Sequence, residues 1–196
     1  MTDLSTAYHE ASHAVAAQTL GLPLVYLSIR PREDSSGRAR FDTATEGFEK
    51  LGDFECAIIK VAGEIGSRMA EGETRPIFNL LSEGGDAEDA INFIERVGGD
   101  ELDARHWAVV RAYALLRTRW SAVEELAELL QRETTVLGEQ VSQICLAEAA
   151  RRNARRIAVQ PTPKPPGKKP RRPKRAIPPG AEVRLFKFTV QKGDAR

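Results

Sequence analysis

Fifteen of the twenty residues from Pro161 to Gly180 are proline, lysine or arginine, and none is acidic. Such a run cannot bury apolar surface, and its like charges repel, so it is expected to be extended or disordered. A folded core must therefore come from the residues before it. This sets a domain of residues 1–157 and a basic, Pro-rich tail of residues 158–196, the latter with a short strand-like end over residues 182–190 rich in Val, Leu and Phe.

Charge divides at the same place. From Arg151 onward there are 15 Lys or Arg and 2 Asp or Glu, whereas the first 150 residues hold 14 basic and 26 acidic side chains. The formal net charge of +1 thus hides an acidic body and a basic tail. Basic pairs at Lys168-Lys169, Arg171-Arg172 and Lys174-Arg175 point to a polyanion such as nucleic acid, or to a protein partner, as the ligand of the tail. No apolar run approaches the roughly 18 residues of a membrane span. Nor does the N-terminus have the pattern of a secretory leader. The two cysteines, Cys56 and Cys145, are far apart, which argues against a cysteine metal site and against a disulfide framework. A soluble, cytoplasmic protein without membrane contact is expected.

The body reads as mainly α. A helix is expected over Leu4–Leu20, stopped by Gly21 and Pro23. Strands are expected over Leu24–Ile29 and Arg38–Thr43, forming a small antiparallel hairpin. Phe54, Ile58, Val61, Ile65 and Met69 recur at three- and four-residue steps within a helical stretch from Glu46 to Ala70. After a loop, Asp86 opens a helix to Val97. Glu101–Glu133 is again helical, with an interruption near Arg119 to Ser121, and a last helix covers Gly138–Ile157.

Within the first helix stands His9-Glu10-Ala11-Ser12-His13, an H-E-x-x-H pattern. Residues four apart share one face of a helix, so two imidazoles at this spacing can reach one metal ion. Glu10 lies beside them and can take a proton from a water on that ion. The chemistry suits Zn2+ with His9 and His13 as ligands and Glu10 as catalytic base. The bland alternative is a core helix that happens to carry two histidines. Two of the chain's 3 histidines at ligand spacing argue against it.

Ala7-Tyr8-His9-Glu10-Ala11-Ser12-His13-Ala14 resembles the active-site helix of the FtsH-type ATP-dependent zinc metalloproteases. Further segments resemble that family in the same order: Tyr26 to Pro31 with Gly37, Ala62-Gly63-Glu64-Ile65, Gly84-Gly85-Asp86-Ala87-Glu88-Asp89-Ala90, and Leu126-Ala127-Glu128-Leu129-Leu130 followed by Leu137-Gly138. The resemblance covers roughly residues 5 to 145. It implies a zincin-like helical peptidase domain, with Asp86 as the third zinc ligand, a protein or peptide substrate, and assembly into a homo-oligomer. Glu83, Glu88 and His106 are the rivals of Asp86, which could instead cap its own helix. Gly37 to Phe41, with Arg38, Arg40 and Phe41, either borders the cleft and holds substrate as an edge strand or is an ordinary hairpin edge.

The chain departs from the family in three ways. Ser12 stands where the family usually has glycine, and the connection from Gly98 to Asp103 is short. No G-x-x-x-x-G-K-[ST] occurs in the sequence, so the chain is expected to work without its own ATPase module. Two functions follow as expectations: an ATP-independent zinc metalloendopeptidase, or a non-proteolytic adaptor of FtsH-like build, associated with DNA through the tail.

Overall fold

The computed structural model describes residues 4–31, 37–42, 51–74, 85–98 and 100–159. Its elements, in chain order, are α1 (Leu4–Leu20), β1 (Leu24–Ser28), β2 (Arg38–Phe41), α2 (Asp53–Ala70), α3 (Gly85–Val97), α4 (Glu101–Glu133), β3 (Thr135–Leu137) and α5 (Gly138–Val159). The described residues are mainly helical, with one small sheet. No helix among them is long and apolar enough to cross a membrane.

α1 is the central element. Every residue from Glu10 to Ala17 is buried, because α2, α4, α5 and the sheet all pack on it. Alanines at positions 7, 11, 14, 16 and 17 make this possible: their short side chains let neighbouring backbones approach from several directions. Leu27, Ile29, Ile94, Leu116, Leu126 and Leu130 fill the space further out and are fully buried. Each contributes about 1.5–3 kcal/mol through the apolar area it removes from water.

Helix ends lie where local chemistry puts them. Gly21, Gly72 and Gly98 take positive φ just past α1, α2 and α3, a conformation that favours glycine. Asp100 caps α4 by accepting from the Asp103 amide at 3.1 Å. The expected interruption of the long helix falls at Arg119, whose φ of −118° and ψ of 15° leave the helical region. Its start differs for α2: Gly52 is extended and the helix opens at Asp53, not Glu46. Gly52 breaks the helical run, and the acidic side chains of Asp53 and Glu55 suit the positive end of the helix dipole. The expected helical residues 46–50 and the loop residues 75–84 lie outside the described residues, as does the tail beyond Val159.

The hairpin is part of a larger sheet than expected. β1 is central, in the order β2-β1-β3, and both pairings are antiparallel. Leu27 faces Ala39 on one side and Val136 on the other. A bulge lies between Leu24 and Tyr26 in the β2 pairing. Thr135–Leu137 is too short to show an alternating pattern; it is a strand because β1 offers it a ladder. Among the described residues, the far edge of β2 has no neighbouring strand.

Candidate metal centre

His9 and His13 project from α1 onto one side, as the four-residue spacing requires. Asp86 arrives from the first turn of α3. His9 Nε2, His13 Nε2 and Asp86 Oδ2 are 3.1 Å from one another in every pair. Among the described residues, these are the His, Cys, Asp or Glu side chains whose ligand atoms gather at metal-binding distance. A triangle of that size has corners about 1.8 Å from its centre, so the three atoms together could hold one ion at about the 2.0–2.1 Å usual for such donors.

Hydrogen bonding gives a second test of fit. His13 Nδ1 donates to the Ile59 carbonyl at 2.7 Å, which fixes the ring and leaves Nε2 facing Asp86. Three basic atoms then converge on one point. Burial opposes charge on His13, but the bond and the negative charge of Asp86, with Glu10 behind, hold its proton affinity above the ordinary value. Burial alone would raise the Asp86 carboxyl. The bonds from His13 and His9, with the charges of His13 and Lys60, instead hold it far below the usual carboxylate range. The site favours positive charge at that point, which a divalent cation would supply in competition with protons. The donor set, two imidazoles and one carboxylate, suits zinc.

The supporting shell comes largely from one turn of α2. Ile59 holds His13. Lys60 Nζ lies 3.1 Å from Asp86 Oδ1 and 2.6 Å from Asp89 Oδ2, so it occupies the oxygen that does not face the histidines. Gly63 faces the two rings. A Cβ there would be 2.7 Å from His9 Nε2 and closer still to His13 Nε2. One turn on, a Cβ at Gly66 would overlap Ser12. In the sequence, Gly63 stands only within a stretch of helical resemblance, and neither Lys60 nor Gly66 is marked by a motif. The available signal was two glycines three apart inside a strongly periodic helix, which implies close approach of another backbone. Nothing in the pattern marks Lys60.

Glu10 is buried beside the triangle. Gly37 presses on it from the start of β2, where a Cβ would come within 2.7 Å of Glu10 Cγ and Oε1. Burial raises the Glu10 carboxyl above the ordinary range, opposed by the charges of His13 and His9. A cleft of about 690 Å³ opens over these groups, lined among others by Glu10, His13, Lys60 and Asp86 and bordered by Arg38 to Phe41. Glu88 also lines the cleft but is exposed and outside the triangle. His106 stands on α4, likewise outside it. Glu83 lies outside the described residues. The oxygens of Asp86 are taken by His9, His13 and Lys60, a use that the capping alternative does not call for. Across α1, Tyr8 stacks on Trp120, with ring centres 5.6 Å apart, and anchors the helix next to His9. The chain matches no protein-family model and no curated protein sequence.

Proposed function

We propose that the chain is a zinc-dependent metalloendopeptidase of FtsH-like build, hydrolysing extended protein segments by ATP-independent chemistry. The observation that carries this reading is the 3.1 Å triangle of His9, His13 and Asp86 with Glu10 beside it in one cleft. Zinc held by the three side chains would polarise a peptide carbonyl and lower the pKa of a water toward about 7.

The remaining work falls to the chain's own residues. Glu10, partly shielded from solvent, accepts the water's proton and returns it to the leaving amine. Gly37 leaves room for the Glu10 side chain. The open edge of β2 borders the same cleft and can pair with a substrate in extended form, main chain to main chain. That mode needs an unfolded or flexible segment.

The test is cleavage of an unstructured polypeptide by purified protein, run beside metal analysis. About one zinc per chain and activity lost to chelator and restored by zinc are expected. Glu10→Gln should keep the zinc while activity falls by about 10²-fold or more, the scale of a lost general base. Loss of zinc in Glu10→Gln would assign that residue to the wrong role, and absence of zinc from the wild type would overturn the reading.

A further inference from the structure

The end of α5 is built differently from its beginning. Val141, Cys145 and Glu148 are buried and mark the face that packs on the body. Continuing the same steps of three and four residues along that face gives Arg152, Arg155 and Arg156. Every residue from Arg151 to Ala158 is exposed. The face that meets the core in the first half of the helix therefore has no described residue beneath it in the second half, and the sequence changes there from packing side chains to arginine.

Body carboxylates near this point already have partners. Glu148 takes Arg119 at 2.8 Å, and Glu125 takes Arg151 at 2.8 Å. Arg152, Arg155 and Arg156 remain as three guanidinium groups on one side of an overhanging helix, spread over about 6 Å of its length. In sequence the helix runs directly into the Lys- and Arg-rich segment, and no acidic residue occurs from Arg151 to Ala181.

We propose that the C-terminal half of α5 binds the phosphate backbone of nucleic acid. Arginine forks match phosphate oxygens in geometry as well as charge. The acidic body repels the same polyanion, which confines contact to this end. The overhang has one large apolar side chain, Ile157, and so lacks the broad apolar stripe with which a helix lies in a lipid surface. No aromatic residue occurs from Arg151 to Leu185, so base stacking adds nothing and sequence preference should be absent.

The experiment measures binding of the full-length protein to fluorescent duplexes of two unrelated sequences across a salt series. Anionic phospholipid vesicles serve as the competing surface. The full-length Arg152→Gln/Arg155→Gln/Arg156→Gln variant is run in parallel, with helicity checked by circular dichroism. Equal binding to both duplexes is expected. The slope of log affinity against log salt should be shallower in the variant by about 3, since each phosphate contact contributes about 0.9. An unchanged slope in the variant overturns the assignment to α5. Binding to vesicles but not to duplexes, or to neither at low salt, overturns the nucleic-acid assignment itself.

Discussion

Replacing Gly63 by alanine sets two effects against each other. In a helix interior, alanine is favoured over glycine by about 1 kcal/mol, so on propensity alone α2 gains stability. The added methyl group, however, lands 2.7 Å from His9 Nε2 and nearer to His13 Nε2. His13 cannot swing aside freely, because it is buried and its Nδ1 is held by the Ile59 carbonyl. Moving it leaves that buried carbonyl without a partner, at about 1–3 kcal/mol. Separating α1 from α2 instead opens a void in a contact whose facing residues on both helices are buried. Either route displaces a ligand atom from the triangle. Metal affinity should fall by at least about 100-fold, the upper end of outer-shell effects. At zinc concentrations saturating the wild type, a 100-fold loss removes up to about 2.7 kcal/mol of zinc-linked stability. For a domain of this size that is about 5–10 °C of the zinc-induced rise in Tm. The assay is competition against a chromophoric chelator, with thermal melts in chelator and in zinc. Zinc-loaded melts should differ between the two proteins by more than metal-free ones, the excess being the zinc-linked part. If Gly63→Ala binds zinc as the wild type does, with the same rise in Tm, then the close approach of the helices is not what places the imidazoles.

Asp86→Ala should abolish tight zinc binding while His106→Ala leaves it intact; the reverse order, read by the same competition, would remove Asp86 from the ligand set. Ser12 Oγ is buried without a hydrogen-bond partner, so Ser12→Ala should raise stability by about 1 kcal/mol in urea denaturation. Burial pushes the Cys145 thiol up to about 11, so iodoacetamide at pH 8 should label it only after unfolding. Its folded value lies above the unfolded value of 9.0, so the corresponding stability is present below pH 9 and is lost as pH rises toward 11, which denaturation across that range would reveal.

The elements legible in the sequence are those whose boundaries are set locally. Glycines at 21, 72 and 98 and the cap at Asp100 end or start helices by chemistry carried within a few residues. Arg119 to Ser121 interrupts the long helix where the pattern weakens, and the break falls at Arg119. The pair His9 and His13 is legible for the same reason, since both lie on one helix. Elements set by distant partners were not legible. Thr135–Leu137 is a strand because Tyr26, Leu27 and Ser28 pair with it from over a hundred residues away. Gly138 reads as a helix start, but its need for glycine comes from the Leu24 carbonyl, which a Cβ would overlap. Asp86 was named through a resemblance, and no local pattern on α3 distinguishes a ligand from a cap. Lys60 acquires its role only when α3 packs on α2 and sets two carboxylates against its ammonium.

The two glycines on α2 also decide how the fold is registered. Gly63 meets the imidazoles and Gly66 meets Ser12, so α1 and α2 interlock at two points three residues apart. Sliding α2 by one residue would bring Ala62 or Glu64 against the histidines and Ile65 or Ser67 against Ser12. Each of those side chains is too large for the space that glycine leaves. Neighbouring packings of nearly equal apolar burial are thereby closed off, although α1 is lined with alanines that discriminate poorly between them. The contact that shapes the candidate centre thus doubles as the device that selects one helix alignment from several.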